Sequence, residues 1–176
     1  MIEEKAKELG VELYVPSYEH DLLLFKWWME LQNSGDFETL FANSQRPLSK
    51  FMELFQPPRM LTFTCDDDGN INHVIWFTPF SDSADAAFVG FWLHKDLRGT
   101  RHSVQVTNFV YSVAFQMFKT LIGVTKHEHL LRIHRKLGYN IIGQIPHLME
   151  GDDAWIVYLT KENFENSTFR KVEKRI

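Results

Sequence analysis

The sequence predicts an α/β domain: a mixed central sheet of about seven strands flanked by four helices. Three observations carry this. The chain is 176 residues long and 44% hydrophobic, with 15 Phe and 5 Trp, enough for a sizeable packed core in one domain. Short apolar runs of strand type alternate with runs whose apolar residues recur at helical spacing. One segment, Asp66-Asp-Asp-Gly-Asn70, has hairpin-turn chemistry between two such strands.

In order, Val11–Val15 alternates and ends at Pro16, which reads as a short strand. Glu19–Gln32 reads as an amphipathic helix, because Leu23, Trp27 and Leu31 recur at helical spacing and Asn33-Ser34-Gly35 ends it. Phe37–Ala42 reads as a short helical turn. Pro47–Phe55 reads as a second helix, since proline suits a first turn and Leu48, Phe51, Met52 and Phe55 share a face. Met60–Cys65 and Ile71–Pro79 are the hairpin strands, and Ala86–His94 follows the loop Ser81–Asp85 as a third apolar strand. The three adjacent aspartates of the turn lack the alternating ligands and later Glu of an EF-hand loop. Ser103–Lys119 reads as a helix with Val106, Val110, Val113 and Met117 on one face. Thr120–Thr125 reads as a buried strand. His127–Leu137 reads as a helix with Leu130, Ile133 and Leu137 inward, stopped by Gly138. Asn140–Ile145 and Ala154–Thr160 are the last strands. Residues 1–161 then form one domain, and 162–176 a polar, basic, solvated tail with Arg170, Lys171, Lys174 and Arg175.

Composition narrows the function. Nineteen basic against 23 acidic residues give a net charge of −4, which disfavours a nucleic-acid partner. A single cysteine, Cys65, excludes an intramolecular disulfide and a cysteine-rich zinc module. Met1–Gly10 has neither an apolar run nor a cleavage pattern, and Leu22–Leu31 is broken by Lys26 and Glu30. The expectation is a cytoplasmic protein without a membrane partner. A homodimer is compatible with the sequence. His127-Glu128-His129 is not a metal motif, since i and i+2 do not share a helix face, so no metal is expected.

The segment richest in chemistry is Phe91–Ser103. A strand enters a short turn holding Arg98-Gly99, and a helix begins near Ser103. Consecutive turn amides and a helix N-terminus make a cradle for a phosphate or pyrophosphate, and Arg98 and Arg101 add forked donors.

Element order and two motifs together resemble the GNAT superfamily, the acyl-CoA-dependent N-acetyltransferases. Their phosphate-loop signature, Arg/Gln-x-x-Gly-x-Gly/Ala, corresponds to Arg98-Gly-Thr-Arg-His-Ser103, with Arg101 and Ser103 at the two glycine-type positions. Their second signature corresponds to His127–Tyr139, where Lys136, Gly138 and Tyr139 match and His134 replaces a tyrosine. The resemblance implies a GNAT-like fold whose fourth and fifth strands are parallel and splay apart to admit acetyl-CoA as co-substrate. It implies that Trp92, Leu93, Arg98, Gly99, Thr100, Arg101, His102 and Ser103 bind the CoA, the pyrophosphate lying on the amides of Gly99 to Ser103. It implies direct acetyl transfer to an amine of a small molecule or a protein. At the position of the family's acid, His134 would protonate the leaving thiolate as an imidazolium, so that activity falls as pH rises through its pKa. For the base, His73, His94 and Asp85 are candidates without preference. The altered loop leaves a second reading open, a catalytically silent binding or effector module, to which small phage-borne members with similarly altered loops are similar.

Overall fold

The computed structural model describes residues 2–41, 43–81, 85–149 and 151–173. Ala42, the middle of the loop Ser81–Asp85, and Lys174 and Arg175 of the tail lie outside the described residues. Contacts divide the chain into two compact units, Met1–Thr78 with Gly90–Val106, and Pro79–Val89 with Thr107–Ile176.

The elements run α1 Ile2–Leu9, β1 Glu12–Leu13, α2 Tyr18–Ser34, α3 Phe37–Leu40, α4 Leu48–Glu53, β2 Met60–Cys65, β3 Ile71–Pro79 and β4 Ala86–Leu93. They continue as α5 Arg101–Met117, β5 Thr120–Thr125, α6 Leu131–Leu137, β6 Asn140–Met149, β7 Asp152–Thr160, α7 Lys161–Glu165 and α8 Thr168–Glu173. The seven strands form one mixed sheet in the order β1-β2-β3-β4-β5-β7-β6. As the strand–helix–strand run requires, β4 and β5 are parallel neighbours. Their ladder covers only Ala86–Phe88 against Thr120–Ile122 and stops there, although β5 stays paired with β7 to Thr125.

In the first unit, Ser17 caps α2 by accepting from the His20 amide, and Gly35 closes it with a left-handed φ of 78°. The helix buries Leu24, Trp27 and Leu31. Trp27 is the hub of an aromatic core. Its ring lies 5.4 Å from Phe51, 5.8 Å from Phe55, 5.7 Å from Trp92 and 6.2 Å from Phe41. The β2–β3 turn closes through Asp66, whose carboxylate accepts from the Asp68 and Asn70 amides at 3.1 and 2.8 Å, while Gly69 takes the positive φ.

The second unit corrects three expectations. The chain enters α6 through a 3-10 turn, Glu128–Leu130, so the helix proper starts at Leu131. Its inward residues are therefore Leu131, His134 and Leu137, while Ile133 is 40% exposed. Strands β6 and β7 extend into the expected loop Pro146–Asp153, and Pro146 is tolerated because β6 is an edge strand and the residue falls within the register shift between Ile145 and Met149. The expected solvated tail is instead helical over α7 and α8. Phe164 is buried against the rings of Tyr111 and Phe115 at 5.7 and 5.6 Å. Gly138 ends α6 with φ 95°, and a Cβ there would sit 2.5 Å from the Asn163 carbonyl, so α7 packs against this turn only because the residue is glycine.

Candidate active site

Within the first unit the residues Leu93 to Ser103 form the expected strand–turn–helix. A 3-10 turn, Lys95–Leu97, follows β4, and Gly99 takes a left-handed φ of 78° with nothing within 4 Å of its missing side chain. Thr100 caps α5. Its hydroxyl accepts from the Ser103 amide at 3.2 Å and donates to the Leu97 carbonyl at 2.9 Å. The Thr100 amide donates to Leu97 O at 3.1 Å. Two of the amides expected to hold a pyrophosphate are thus engaged inside the turn. Those of Gly99, Arg101 and His102 have no partner among the described residues, as the first turn of a helix dictates.

Arg101 opens α5 with ordinary helical backbone, since among the described residues His147 is the one non-glycine with positive φ. The residue at this glycine-type position therefore does not distort the turn. Arg98, Arg101 and His102, which belong to or adjoin this turn, are exposed. Arg98 Nε also donates to the Leu93 carbonyl at 3.4 Å, tying the arginine back to the strand. Trp92 and Ser103 are buried. The Trp92 indole donates to Asp36 Oδ2 at 3.0 Å and packs on Trp27, so its side chain serves the core, and its backbone is what β4 can offer a ligand.

A groove of about 990 Å³ opens beside the turn, lined among others by Glu30, Asn33, Asp36, Asp66, His94 and Arg98. It brings together His94 and Glu30, which the sequence does not link. His94 Nε2 lies 3.5 Å from Glu30 Oε1, and the Asp96 amide donates to His94 Nδ1 at 3.4 Å. Burial raises the Glu30 pKa above the usual carboxylate value, with Asp36 and Asp66 adding to the rise and His94 opposing it. No sequence spacing links residues 64 positions apart, so only the fold could bring them together.

His73, on β3, is 2% exposed, and its Nδ1 has no partner among the described residues. Burial, reinforced by nearby His102, lowers its pKa from 6.5 to about 4. The unfolded chain binds this proton below about pH 6.5 and the folded chain only near pH 4, so stability falls as pH falls across that window. The full loss is about 3 kcal/mol, at 1.36 kcal/mol per pKa unit. Urea titrations at pH 7 and pH 4 should therefore show a smaller acid-induced drop for His73→Leu than for the wild type, by about that amount. Equal drops would mean that the ring finds a proton acceptor when charged.

In the second unit His134 is 6% exposed. Its Nδ1 lies 2.9 Å from the Leu130 carbonyl. A carbonyl only accepts, so Nδ1 carries the proton and Nε2 holds the lone pair in the neutral ring. Nε2 faces β5, where a Cβ on Gly123 would be 3.8 Å away. Tyr139 meets the ring edge-on at 5.1 Å, and its hydroxyl pairs with Tyr111 at 3.0 Å. Burial pushes Tyr111 up to about 12 and Tyr139 well above the tyrosine range, so neither ionises near neutrality. Burial lowers the His134 pKa, and the Leu130 carbonyl only partly offsets this. This environment favours the neutral form of the ring over the imidazolium.

Of the remaining histidines, the rings of His127 and His129 lie 5.5 Å apart. Among the described residues no group of three His, Cys, Asp or Glu side chains could hold a metal ion, and no helix is long and apolar enough to cross a membrane.

No family model and no curated protein matches the sequence. Solved structures do match. RimJ of Mycobacterium smegmatis, solved with CoA-disulfide, is 12% identical with a TM-score of 0.66, over 95% of this chain and 90% of that one. A GNAT-superfamily phosphinothricin acetyltransferase from Sinorhizobium meliloti, solved with AcCoA, is 13% identical with a TM-score of 0.63, over 86% and 88%. Spermidine N-acetyltransferase from Vibrio cholerae, solved with CoA and spermine, is 11% identical with a TM-score of 0.66, over 88% and 98%. With its β4–β5 parallel pair, its glycine turn and its capped α5, the chain adopts the fold of the GNAT-superfamily acetyltransferases.

Proposed function

We propose that the protein is an acetyl-CoA-dependent N-acetyltransferase acting on an amine of a small molecule or a protein. The carrying observation is the turn at Gly99–His102, where open amides at a helix N-terminus stand between two exposed arginines, in a fold shared with transferases solved with CoA or AcCoA. The residues present fit a pyrophosphate. Gly99, Arg101 and His102 supply backbone donors, the helix terminus supplies partial positive charge, and Arg98 and Arg101 supply forked cationic donors. Acetyl-CoA itself supplies the thioester. The groove containing the Glu30–His94 pair is the candidate approach for the acceptor.

The chemistry has two proton movements. The attacking amine must lose a proton, and the departing thiolate must gain one. His134 suits both in sequence. In this reading the neutral ring takes the amine proton as the C–N bond forms, and the resulting imidazolium returns that proton to sulfur as the C–S bond breaks. The balance is closed, and neutral His134 is the resting state that its burial favours.

Thermal shift and titration calorimetry with acetyl-CoA test the reading. Ligand at 100 times its dissociation constant stabilises the fold by ~2.7 kcal/mol. Arg98→Ala should weaken binding about tenfold or more, the scale of one charge-assisted hydrogen bond. Acetyl-CoA should then acetylate an acceptor found among polyamines, amino acids and peptide N-termini. No binding of acetyl-CoA by the wild type at millimolar concentration would instead support the silent module.

A further inference from the structure

We propose, resting on the acetyl-CoA reading above, that the Trp76 indole N–H is a further ligand contact and donates to the thioester carbonyl of the acyl donor. The fate of each tryptophan N–H in the first unit singles this residue out. An indole N–H taken from water usually finds a hydrogen-bond partner. Trp28 donates to the Arg46 carbonyl and Trp92 to Asp36 Oδ2, both at 3.0 Å. Trp27 Nε1 is sealed in the core without a partner among the described residues. Trp76 differs from all three. It is half-buried, its N–H has no partner among the described residues, and that nitrogen is not sealed. The ring is nevertheless held in place. Phe41 stacks on it at 5.4 Å and Phe55 meets it edge-on at 6.1 Å.

The register of β3 and β4 says where the open N–H is delivered. The His94 amide donates to the Asn72 carbonyl at 2.8 Å, and the Phe80 amide to the Ala86 carbonyl at 3.2 Å. Both bonds belong to one antiparallel register, in which Trp76 stands opposite Gly90. The indole reaches across to that residue. A Cβ on Gly90 would overlap Cε2, Cζ2 and Cη2 of the ring, and Cε2 is the atom that carries Nε1. Gly90 does not take a positive φ, so glycine is needed here for room rather than for backbone freedom. The ladder between β4 and β5 ends at Phe88, two residues earlier. Gly90 therefore opens the stretch of β4 that leads, without a β5 partner, to the Gly99 turn. An acyl donor held by its phosphates at that turn and lying along this stretch brings its thioester end to Gly90. A thioester carbonyl accepts and cannot donate, and an indole N–H donates and cannot accept, so the two match. Trp76 does not line the groove assigned to the acceptor, so both can be occupied together.

Titration calorimetry of the full chain with coenzyme A and with acetyl-CoA tests this, because only the second has the carbonyl. Trp76→Phe keeps a ring against Phe41 and Phe55 and removes the N–H. It should weaken acetyl-CoA about three- to tenfold, the scale of one neutral hydrogen bond, and leave coenzyme A unchanged. Gly90→Ala, whose Cβ displaces the indole, should show the same selective loss. Infrared spectra of acetyl-CoA labelled at the carbonyl carbon should show the bound carbonyl stretch lowered in the wild type and partly restored in Trp76→Phe. Equal weakening of both ligands by Trp76→Phe marks a packing residue and overturns the proposal, as does an unchanged affinity and carbonyl band. If coenzyme A itself fails to bind the wild type at millimolar concentration, the underlying acetyl-CoA reading falls and this proposal with it.

Discussion

His134→Gln is expected to lower kcat for acetyl transfer by about 100-fold or more, with acetyl-CoA affinity within about threefold of the wild type. Glutamine roughly keeps the volume of a 6%-exposed side chain and removes the imidazole proposed to take and return a proton. The pH profile separates a proton carrier from a packing residue. In the proposed mechanism neutral His134 is the active form, and burial sets its pKa below the ordinary histidine value. Wild-type kcat should therefore rise with pH through an inflection below about 6.5, the unperturbed histidine pKa, and then level off. That is the opposite slope to a standing imidazolium acid. In His134→Gln the inflection should vanish. His134→Tyr offers a donor at the same helix position but a poor acceptor near neutrality, so it should recover only part of the rate. If kcat of His134→Gln equals that of the wild type while acetyl-CoA still binds, the ring is packing alone and water moves the proton.

Trp27→Ala should cost about 3–5 kcal/mol of unfolding free energy, the range for truncating a fully buried aromatic residue. The ring is 1% exposed and touches Phe41, Phe51, Phe55 and Trp92, which come from three other parts of the first unit. None of these stiff rings can collapse far into the gap. Trp27→Phe is the informative companion. The indole Nε1 is buried without a partner among the described residues, so phenylalanine removes an unsatisfied donor as well as volume. It should cost clearly less than the alanine variant. Urea denaturation followed by circular dichroism measures both. Similar losses for the two would place the stability in the indole's extra ring rather than in its general bulk.

Much of the fold was legible where local chemistry and period agree. The hairpin strands Met60–Cys65 and Ile71–Pro79 have the predicted bounds, because Asp66 and Gly69 impose the turn whatever surrounds them. Strand Thr120–Thr125 is likewise as expected, a short apolar run between two helices. The phosphate-type turn was legible too, since Gly99 is the residue able to take φ 78° at no steric cost. Phase was not. The helical stripe assigned from His127 is off by one residue at its first two positions and right at Leu137, because a 3-10 turn advances the chain differently from an α-turn, and spacing alone does not say where one gives way to the other.

The sequence by itself determined the alternation of strands and helices, the hairpin, the glycine turn and the histidine within α6, since each rests on contacts within a few residues. Tertiary structure decided what depends on partners distant along the chain. It turned a polar tail into helices by seating Phe164 on Tyr111 and Phe115. It joined Glu30 to His94, and it buried His134 with its Nδ1 proton committed to Leu130. Burial is what changes the chemistry here. Removing an imidazole from water penalises its charged form, so at the position where the resemblance implies an acid the fold favours the neutral ring of His134.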